Sequence, residues 1–316
     1  MSSAVLLMAH GTPSSLDQMP EYLTRVRGGR PPSEELVAEM RRNYSAIGGR
    51  SPLTEITLRQ RDALAERLGG VARVAVGMRN WRPYIAEAID ELGRAGVTRV
   101  VGIPMAPQFS TLSVRKYVDD ARAATPAGMR FECVGSYHAH PRLLEAFAAR
   151  IREAGGVGPD ERVVFTAHSL PERVIASGDP YAAEVRATAA GVAGLAGIAD
   201  FDLAFQSAGR TPEPWIGPEL NALVRERAAG GTRRLLVVPI GFVSDHTEIL
   251  FDLDVQAAET AAGCGVALRR TPSPNDSAEF IRLLEDLATA ALKSGPEASE
   301  GGAGPLADEA RPVGRS

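Results

Sequence analysis

Cysteine and lysine are both scarce in this 316-residue chain, and each shortage excludes a class of site. The two cysteines, Cys133 and Cys264, cannot supply the four thiolates of a zinc site or of a 2Fe–2S cluster. The two lysines, Lys116 and Lys293, do not follow a glycine, so the chain lacks the P-loop signature Gly-x-x-x-x-Gly-Lys. We therefore expect neither an iron–sulfur protein nor a P-loop nucleotidase.

Three further motifs are missing from the sequence. The chain has no Gly-x-Gly-x-x-Gly after a strand, which is the usual dinucleotide fingerprint. It also lacks the Gly-x-Ser-x-Gly nucleophile elbow and the His-Glu-x-x-His zinc motif. The usual signatures of these three enzyme classes are therefore absent.

The net charge and the lengths of the apolar runs argue against nucleic acid and membranes as partners. Lys and Arg total 35 against 39 Asp and Glu, for a net charge of −4, so no basic surface for nucleic acid is expected. No apolar run approaches the roughly 18–20 residues of a membrane span. Residues 1–5 carry no basic region ahead of an apolar stretch, so we expect a cytoplasmic protein without an integral membrane contact.

Short apolar runs alternate with amphipathic stretches along most of the chain. We predict buried strands at residues 5–9, 71–76, 99–103, 131–134, 163–167, 201–205, 235–239 and 266–268. Helices are predicted at residues 53–68, 84–92, 141–154, 217–229 and 278–292. This alternation predicts an α/β fold with parallel sheets.

A Gly- and Pro-rich segment at residues 155–160 suggests a domain boundary. We predict two similar α/β domains, residues 1–155 and 156–293, with a cleft between them. Residues 294–316 have no periodicity and are predicted to be a disordered tail. In such folds ligands bind beyond the carboxyl ends of the strands.

Three histidines, His10, His168 and His246, follow predicted strands. A single histidine there is more often structural than functional. Glu248 and Asp252 are four residues apart on a helix that we expect Ser244 or Asp245 to cap. They form either a solvated polar face or a ligand ladder for a divalent cation.

The first long loop is rich in arginine, with Arg25, Arg27 and Arg30 close together. It is either a solvated basic loop or a clamp for carboxylates. Ser51 is a good N-cap for a helix with Pro52 at its first position, which is a structural role. Imidazole and carboxylates at one cleft suit a transition metal or proton transfer, but they do not define a substrate.

Six segments together resemble the ferrochelatases, which insert Fe²⁺ into porphyrins. They include Ala-His-Ser-Leu-Pro and Asp-His-Thr-Glu, and they lie at residues 8–13, 44–53, 107–110, 165–171, 206–215 and 239–248. The resemblance implies two Rossmann-like domains of the chelatase type. Asp252, which shares a helical face with Glu248, is a candidate relay for protons or metal. The resemblance implies that His168 and Glu248 are the catalytic, metal-binding pair. It also implies porphyrin contacts at His10, Arg27, Asn43, Tyr44, Ser51 and Tyr117.

The resemblance is strongest to the soluble enzymes of Gram-positive bacteria. It implies that the product is Fe-coproporphyrin III in heme b biosynthesis, with Fe²⁺ as a substrate and no permanently bound cofactor. Coproporphyrin III has four propionates, whereas protoporphyrin IX has two. Coproporphyrin III can therefore form more ion pairs with the arginines of the first long loop, which is expected to act as a porphyrin-binding lid. A monomer is implied, with a downstream heme-synthesis enzyme as a partner.

Three alternative functions stay open at this point: a protoporphyrin IX enzyme, a chelatase for another tetrapyrrole or metal, or a non-catalytic tetrapyrrole carrier.

Three positions depart from the family pattern. His10 stands where members usually carry Tyr, Asn80 where some carry His, and Gln256 where a further acid is found.

Overall fold

The computed structural model describes residues 2–209 and 211–294, and these form two four-stranded parallel sheets. The first sheet has the order β2-β1-β3-β4, and its strands are β1 (Ser3–Ala9), β2 (Arg73–Met78), β3 (Arg99–Pro104) and β4 (Arg130–Cys133). The second has the order β6-β5-β7-β8, and its strands are β5 (Glu161–His168), β6 (Phe201–Gln206), β7 (Arg234–Val238) and β8 (Ala267–Arg270). The two sheets share one topology, which confirms the predicted pair of parallel α/β domains.

Helices connect the strands within each half. The first half contains a 3-10 turn at Leu16–Gln18, then α1 (Met19–Val26), α2 (Glu34–Ala46), α3 (Leu53–Leu68), α4 (Ile85–Arg94), α5 (Val114–Ala124) and α6 (Pro141–Glu153). The second contains α7 (Glu172–Ala176), α8 (Tyr181–Ala196), α9 (Leu220–Ala229), α10 (Thr247–Leu250), a π-helix at Asp252–Ala257, α11 (Ala258–Gly263) and α12 (Ala278–Lys293).

All eight predicted strands are present, with shifts of at most two residues at their ends. Arg25, which is expected in a long loop, lies instead in helix α1. Sequence periodicity did not predict α1, α2, α5, α7, α8 or α11. For α8 the reason is its composition, because Glu184 and Arg186 are its two charged residues and alanine and glycine dominate. A helix without a clear polar face gives little periodic signal.

The predicted caps of two helices need correction. His246, not Ser244 or Asp245, holds the N-cap position of α10, and its side chain caps nothing. The Ser244 hydroxyl instead accepts a hydrogen bond from the Gln60 amide, while Asp245 binds Arg270 and Asn275. The Ser244 and Asp245 side chains thus make tertiary contacts instead of capping α10.

For α3, the helix begins at Leu53 with Pro52 as its N-cap, rather than beginning at Pro52. The Ser51 hydroxyl still accepts a hydrogen bond from the Leu53 amide, at 3.4 Å.

One apolar core spans both sheets and includes Val5 and Leu7 of β1 and Phe165 of β5. The last helix, α12, packs against α3 and β3 of the first half. Its carboxyl end is held by Arg99, which donates hydrogen bonds to the carbonyls of Ala291, Leu292 and Ser294. The chain therefore closes back on the first sheet, and this fixes the two halves around the cleft.

No helix within residues 2–209 and 211–294 combines the length and the apolar character needed to cross a membrane. Residues 295–316 of the predicted tail lie outside the described residues.

Arg99→Ala is expected to lower the free energy of unfolding by about 2–3 kcal/mol, because a guanidinium that caps three helix carbonyls is lost. Its side chain is 15% exposed and also pairs with Glu132. Urea denaturation measures the change. The control is Arg115→Ala, which breaks an exposed pair with Asp119 and should cost less than about 0.5 kcal/mol. Equal losses in the two variants would contradict this account of the α12 contact.

Candidate active site

The candidate site lies between the two halves of the molecule. It is formed by the ends of strands β1 and β5 and by the segment that follows β7. His10 directly follows β1, and His168 is the last residue of β5. Glu248 lies in the first turn of α10, which follows β7. Because parallel strands of one sheet end at the same edge, short loops there bring distant residues together.

His168 and Glu248 are neighbours, as the family resemblance requires of a metal-binding pair. The His168 Nδ1 atom donates a hydrogen bond to the Ser169 carbonyl, so Nε2 carries the lone pair of the neutral ring. His168 Nε2 lies 3.7 Å from Glu248 Oε1. The side chains are 31% and 40% exposed, so both remain accessible to solvent.

The spacing of this pair fits a shared metal ion. A metal–ligand bond to nitrogen or oxygen is about 2.1 Å long, so 3.7 Å is less than two such bonds. In residues 2–209 and 211–294, no group of three or more His, Cys, Asp or Glu is placed to hold a metal ion. His168 and Glu248 would therefore offer an ion two ligands and leave its other positions open.

His246 belongs to the same cluster, although sequence reasoning gave it no role. Its Nδ1 atom donates to the Ser244 carbonyl at 3.0 Å, and its Nε2 atom lies 3.4 Å from Glu248 Oε2. The available signal was its position two residues before Glu248. The two carboxylate oxygens of Glu248 thus face two different imidazoles.

Electrostatics keep Glu248 charged. Burial by itself would raise the pKa of Glu248, but the attraction of His168 and the hydrogen bond from His246 outweigh it and lower the pKa well below its usual range. For His246, burial opposes the charged form, yet the bond to Glu248 raises its pKa. The site therefore presents a carboxylate anion to the cleft.

Asp252 stands behind Glu248 at the start of the π-helix. Burial and the charge of Glu248 together raise the pKa of Asp252 to about 6, against the opposing effect of a hydrogen bond donated by the Ser207 hydroxyl. Ser207 is a non-glycine residue with φ +58°, a strained conformation that occurs often at functional sites. Sequence reasoning identified Asp252 but missed Ser207.

His10 reaches the cluster from the first half. Its Nε2 atom lies 3.2 Å from the Tyr22 hydroxyl, and the Asn80 amide lies 3.2 Å from the same nitrogen and 3.3 Å from Nδ1. The ring is solvent-accessible, yet desolvation by the surrounding protein lowers the pKa of His10 to about 4. At neutral pH this imidazole is uncharged.

The other predicted porphyrin contacts lie in different environments. Tyr44 is buried in a small apolar cluster with Met19, Tyr22, Leu23 and Trp81. Burial raises the pKa of Tyr44 to about 12, and the nearby Thr247 and Tyr22 hydroxyls oppose this rise. Tyr44 therefore lies close to Thr247, the first residue of α10.

The remaining four predicted porphyrin contacts lie in or next to helices of the first half. Arg27 is exposed at the end of α1, and Asn43 is half-buried in α2. Ser51 is buried at the start of α3. Tyr117 packs in the core of the first sheet, in a cluster that includes Leu6. The charge of Glu248 acts on Tyr117 as it does on His10 and Tyr44, so these three predicted contacts lie near the metal-binding pair.

Residues 2–292 match the family model described as Ferrochelatase. The chain belongs to the ferrochelatase family. It is 42% identical over 293 residues to the ferrochelatase of Deinococcus radiodurans, covering 89% of this chain and 93% of that protein. It is 39% identical over 293 residues to the coproporphyrin III ferrochelatase of Anoxybacillus flavithermus, with the same coverage.

A solved structure shares the fold of this ferrochelatase-family chain at low identity. SirB from Bacillus subtilis, solved with Fe³⁺, has a TM-score of 0.57 and 11% identity, covering 92% of this chain and 98% of that one. The likeness extends over both halves and supports the predicted chelatase-type architecture.

If His168 and Glu248 hold the ion, His168→Ala and Glu248→Gln are each expected to weaken Co²⁺ binding by the porphyrin-free protein at least about tenfold, because the first removes an imidazole nitrogen and the second replaces a carboxylate by a neutral amide. Visible absorption of Co²⁺ measures the affinity. His140→Ala is the control, since His140 caps α6 by accepting a hydrogen bond from the Arg142 amide. Unchanged affinity in both site variants would rule out the pair as the metal ligands.

Proposed function

We propose that this protein inserts Fe²⁺ into coproporphyrin III and releases Fe-coproporphyrin III. The observation that carries the proposal is the His168–Glu248 pair, 3.7 Å apart and open to a cleft, in a chain of the ferrochelatase family. A nitrogen and a carboxylate oxygen are suitable ligands for Fe²⁺. Fe²⁺ is a substrate in this reaction, and no resident cofactor is required by the proposal.

Two observations favour coproporphyrin III as the porphyrin. Relatives from Anoxybacillus flavithermus and Geobacillus kaustophilus, at 39% and 36% identity, are named as coproporphyrin III ferrochelatases. Arg25, Arg27 and Arg30 are exposed on α1 and the loop after it. Guanidinium groups bind carboxylates in a forked geometry, so four propionates gain more from them than two.

Insertion of a divalent ion displaces two pyrrole protons, and these need acceptors. His168 Nε2 cannot hold the ion and a proton together, because Nδ1 already carries the ring's other proton toward Ser169. We propose that His168 and Glu248 share metal binding and proton acceptance, and that each proton passes onward through Asp252 to solvent. The Ser207 hydroxyl donates a hydrogen bond that holds the Asp252 carboxylate in place.

The opposite wall of the cleft supplies the porphyrin contacts in this proposal. His10 is neutral and is oriented by Asn80 and Tyr22, so it can lie against the macrocycle without adding charge. Tyr44 supports that wall from within the apolar cluster beneath α1. Arg27, Asn43, Ser51 and Tyr117 complete the proposed set. The family resemblance further leads us to propose a cytoplasmic monomer that passes product to a downstream heme-synthesis enzyme.

The test is an anaerobic metallation assay with Fe²⁺ and, separately, coproporphyrin III, protoporphyrin IX and sirohydrochlorin, followed by absorbance. We expect repeated turnover with coproporphyrin III, and we expect His168→Ala to bind this porphyrin without metallating it. Faster turnover with protoporphyrin IX would reverse the substrate assignment. Binding of one equivalent without turnover would indicate a carrier and contradict the proposed enzyme.

Arg27→Ala is expected to reduce kcat/KM for coproporphyrin III about five- to tenfold, because one charge-assisted contact to a propionate is lost. The effect on protoporphyrin IX should be smaller. Arg152→Ala on α6, which breaks an exposed pair with Glu145, serves as the control. Equal effects on the two porphyrins would remove the propionate argument for Arg27.

A further inference from the structure

We infer that Tyr181 is a positioning residue that holds the metal-binding imidazole of His168 in place. The Tyr181 hydroxyl donates a hydrogen bond to the main-chain carbonyl of His168 at 3.0 Å. Tyr181 is the first residue of α8 and is 6% exposed, with its ring in the core shared by the two sheets. The inference rests on the proposed function, in which His168 binds the metal.

The hydrogen bond acts on the peptide group that joins His168 to Ser169. The N–H of that peptide donates to the Gln206 carbonyl at 2.7 Å, and its C=O accepts from Tyr181. Both ends of the peptide are therefore held. Without Tyr181, the peptide would be held at its N–H alone and could tilt about that contact.

A tilt of this peptide would reach the imidazole by two routes. It would change the backbone of His168 and therefore the direction of its Cα–Cβ bond. It would also displace the Ser169 carbonyl, which accepts the hydrogen bond from His168 Nδ1. Both changes would turn Nε2 away from Glu248, which lies 3.7 Å away. A second-sphere contact of this kind orients a metal ligand without touching the metal.

Tyr181 is itself anchored to the opposite half of the molecule through Asp179. Asp179 Oδ1 accepts a hydrogen bond from the Tyr181 amide at 3.0 Å. Asp179 Oδ2 accepts from the amide and the hydroxyl of Thr111, both at 2.7 Å, and from the Ser110 hydroxyl at 3.2 Å. Ser110 and Thr111 follow β3 of the first sheet, so the position of His168 depends on how the two halves meet.

The molecule contains a matched control for this contact. Tyr137 is 4% exposed, and its hydroxyl donates to the carbonyl of Pro104 at 2.7 Å. Pro104 is the last residue of β3, just as His168 is the last residue of β5. Tyr137→Phe and Tyr181→Phe therefore remove the same kind of hydrogen bond from the last residue of one strand in each sheet, and only His168 at the end of β5 carries the metal-binding imidazole.

The experiment measures thermal stability, Co²⁺ affinity of the porphyrin-free protein, and steady-state KM for Fe²⁺ in wild type and both variants. Both variants should lose similar, small amounts of stability. Tyr181→Phe should weaken Co²⁺ binding and raise KM for Fe²⁺ about fivefold, as expected for one lost hydrogen bond. Porphyrin affinity should not change. Tyr137→Phe should leave Co²⁺ affinity and KM unchanged.

Equal metal affinities in wild type and Tyr181→Phe would overturn the inference, whatever the stability of the variant. Equal weakening in Tyr137→Phe would also overturn it, because the effect would then be a general consequence of lost stability. Weaker Co²⁺ binding confined to Tyr181→Phe would support the inference even if wild type metallated no porphyrin. That last result would contradict the proposed function and not the positioning role.

Discussion

The negative charge of one carboxylate, Glu248, interacts with all three histidines of the site. It lies against His168 and His246, and its charge also acts on His10 across the cleft. An anion among imidazoles is stable because positive or polarised groups surround it on several sides. The same arrangement makes the carboxylate ready for a cation, and the lone pair of His168 Nε2 points to the same place.

The duplicated topology explains why imidazoles line both walls of the cleft. In each sheet the first strand, β1 or β5, lies between the second and the third. His10 follows β1 and His168 ends β5, so the two residues occupy nearly equivalent places in the two halves. The halves then diverge. The second adds Glu248 and Asp252 after β7, while the first adds the α1–α2 region with its arginines and the buried Tyr44.

Contacts between the halves determine how precisely this cleft is built. The core runs through both sheets, α12 returns to β3, and Gln60 of α3 binds Ser244 just before α10. Asp179 joins the start of α8 to the loop after β3. Polar contacts of this kind are directional, so they fix orientation where apolar packing alone would allow sliding. The metal-binding groups and the opposite wall are therefore held on one framework.

The amino-acid sequence by itself determined the strands, five of the helices that flank them (α3, α4, α6, α9 and α12) and the two residues with the clearest chemistry. Apolar runs and helical periodicity are local signals, and the segments around His168 and Glu248 carry a family pattern that spacing along the chain preserves. Helix α8 could not be predicted in this way. Its segment is rich in alanine and glycine and is buried on several sides, so it lacks the polar face that gives a periodic pattern. Only the tertiary structure placed His246 and Ser207 in the site and joined Tyr181 to the His168 carbonyl. The physical reason is that such contacts depend on where separate strands and helices end in space, and no local pattern in the chain encodes that arrangement.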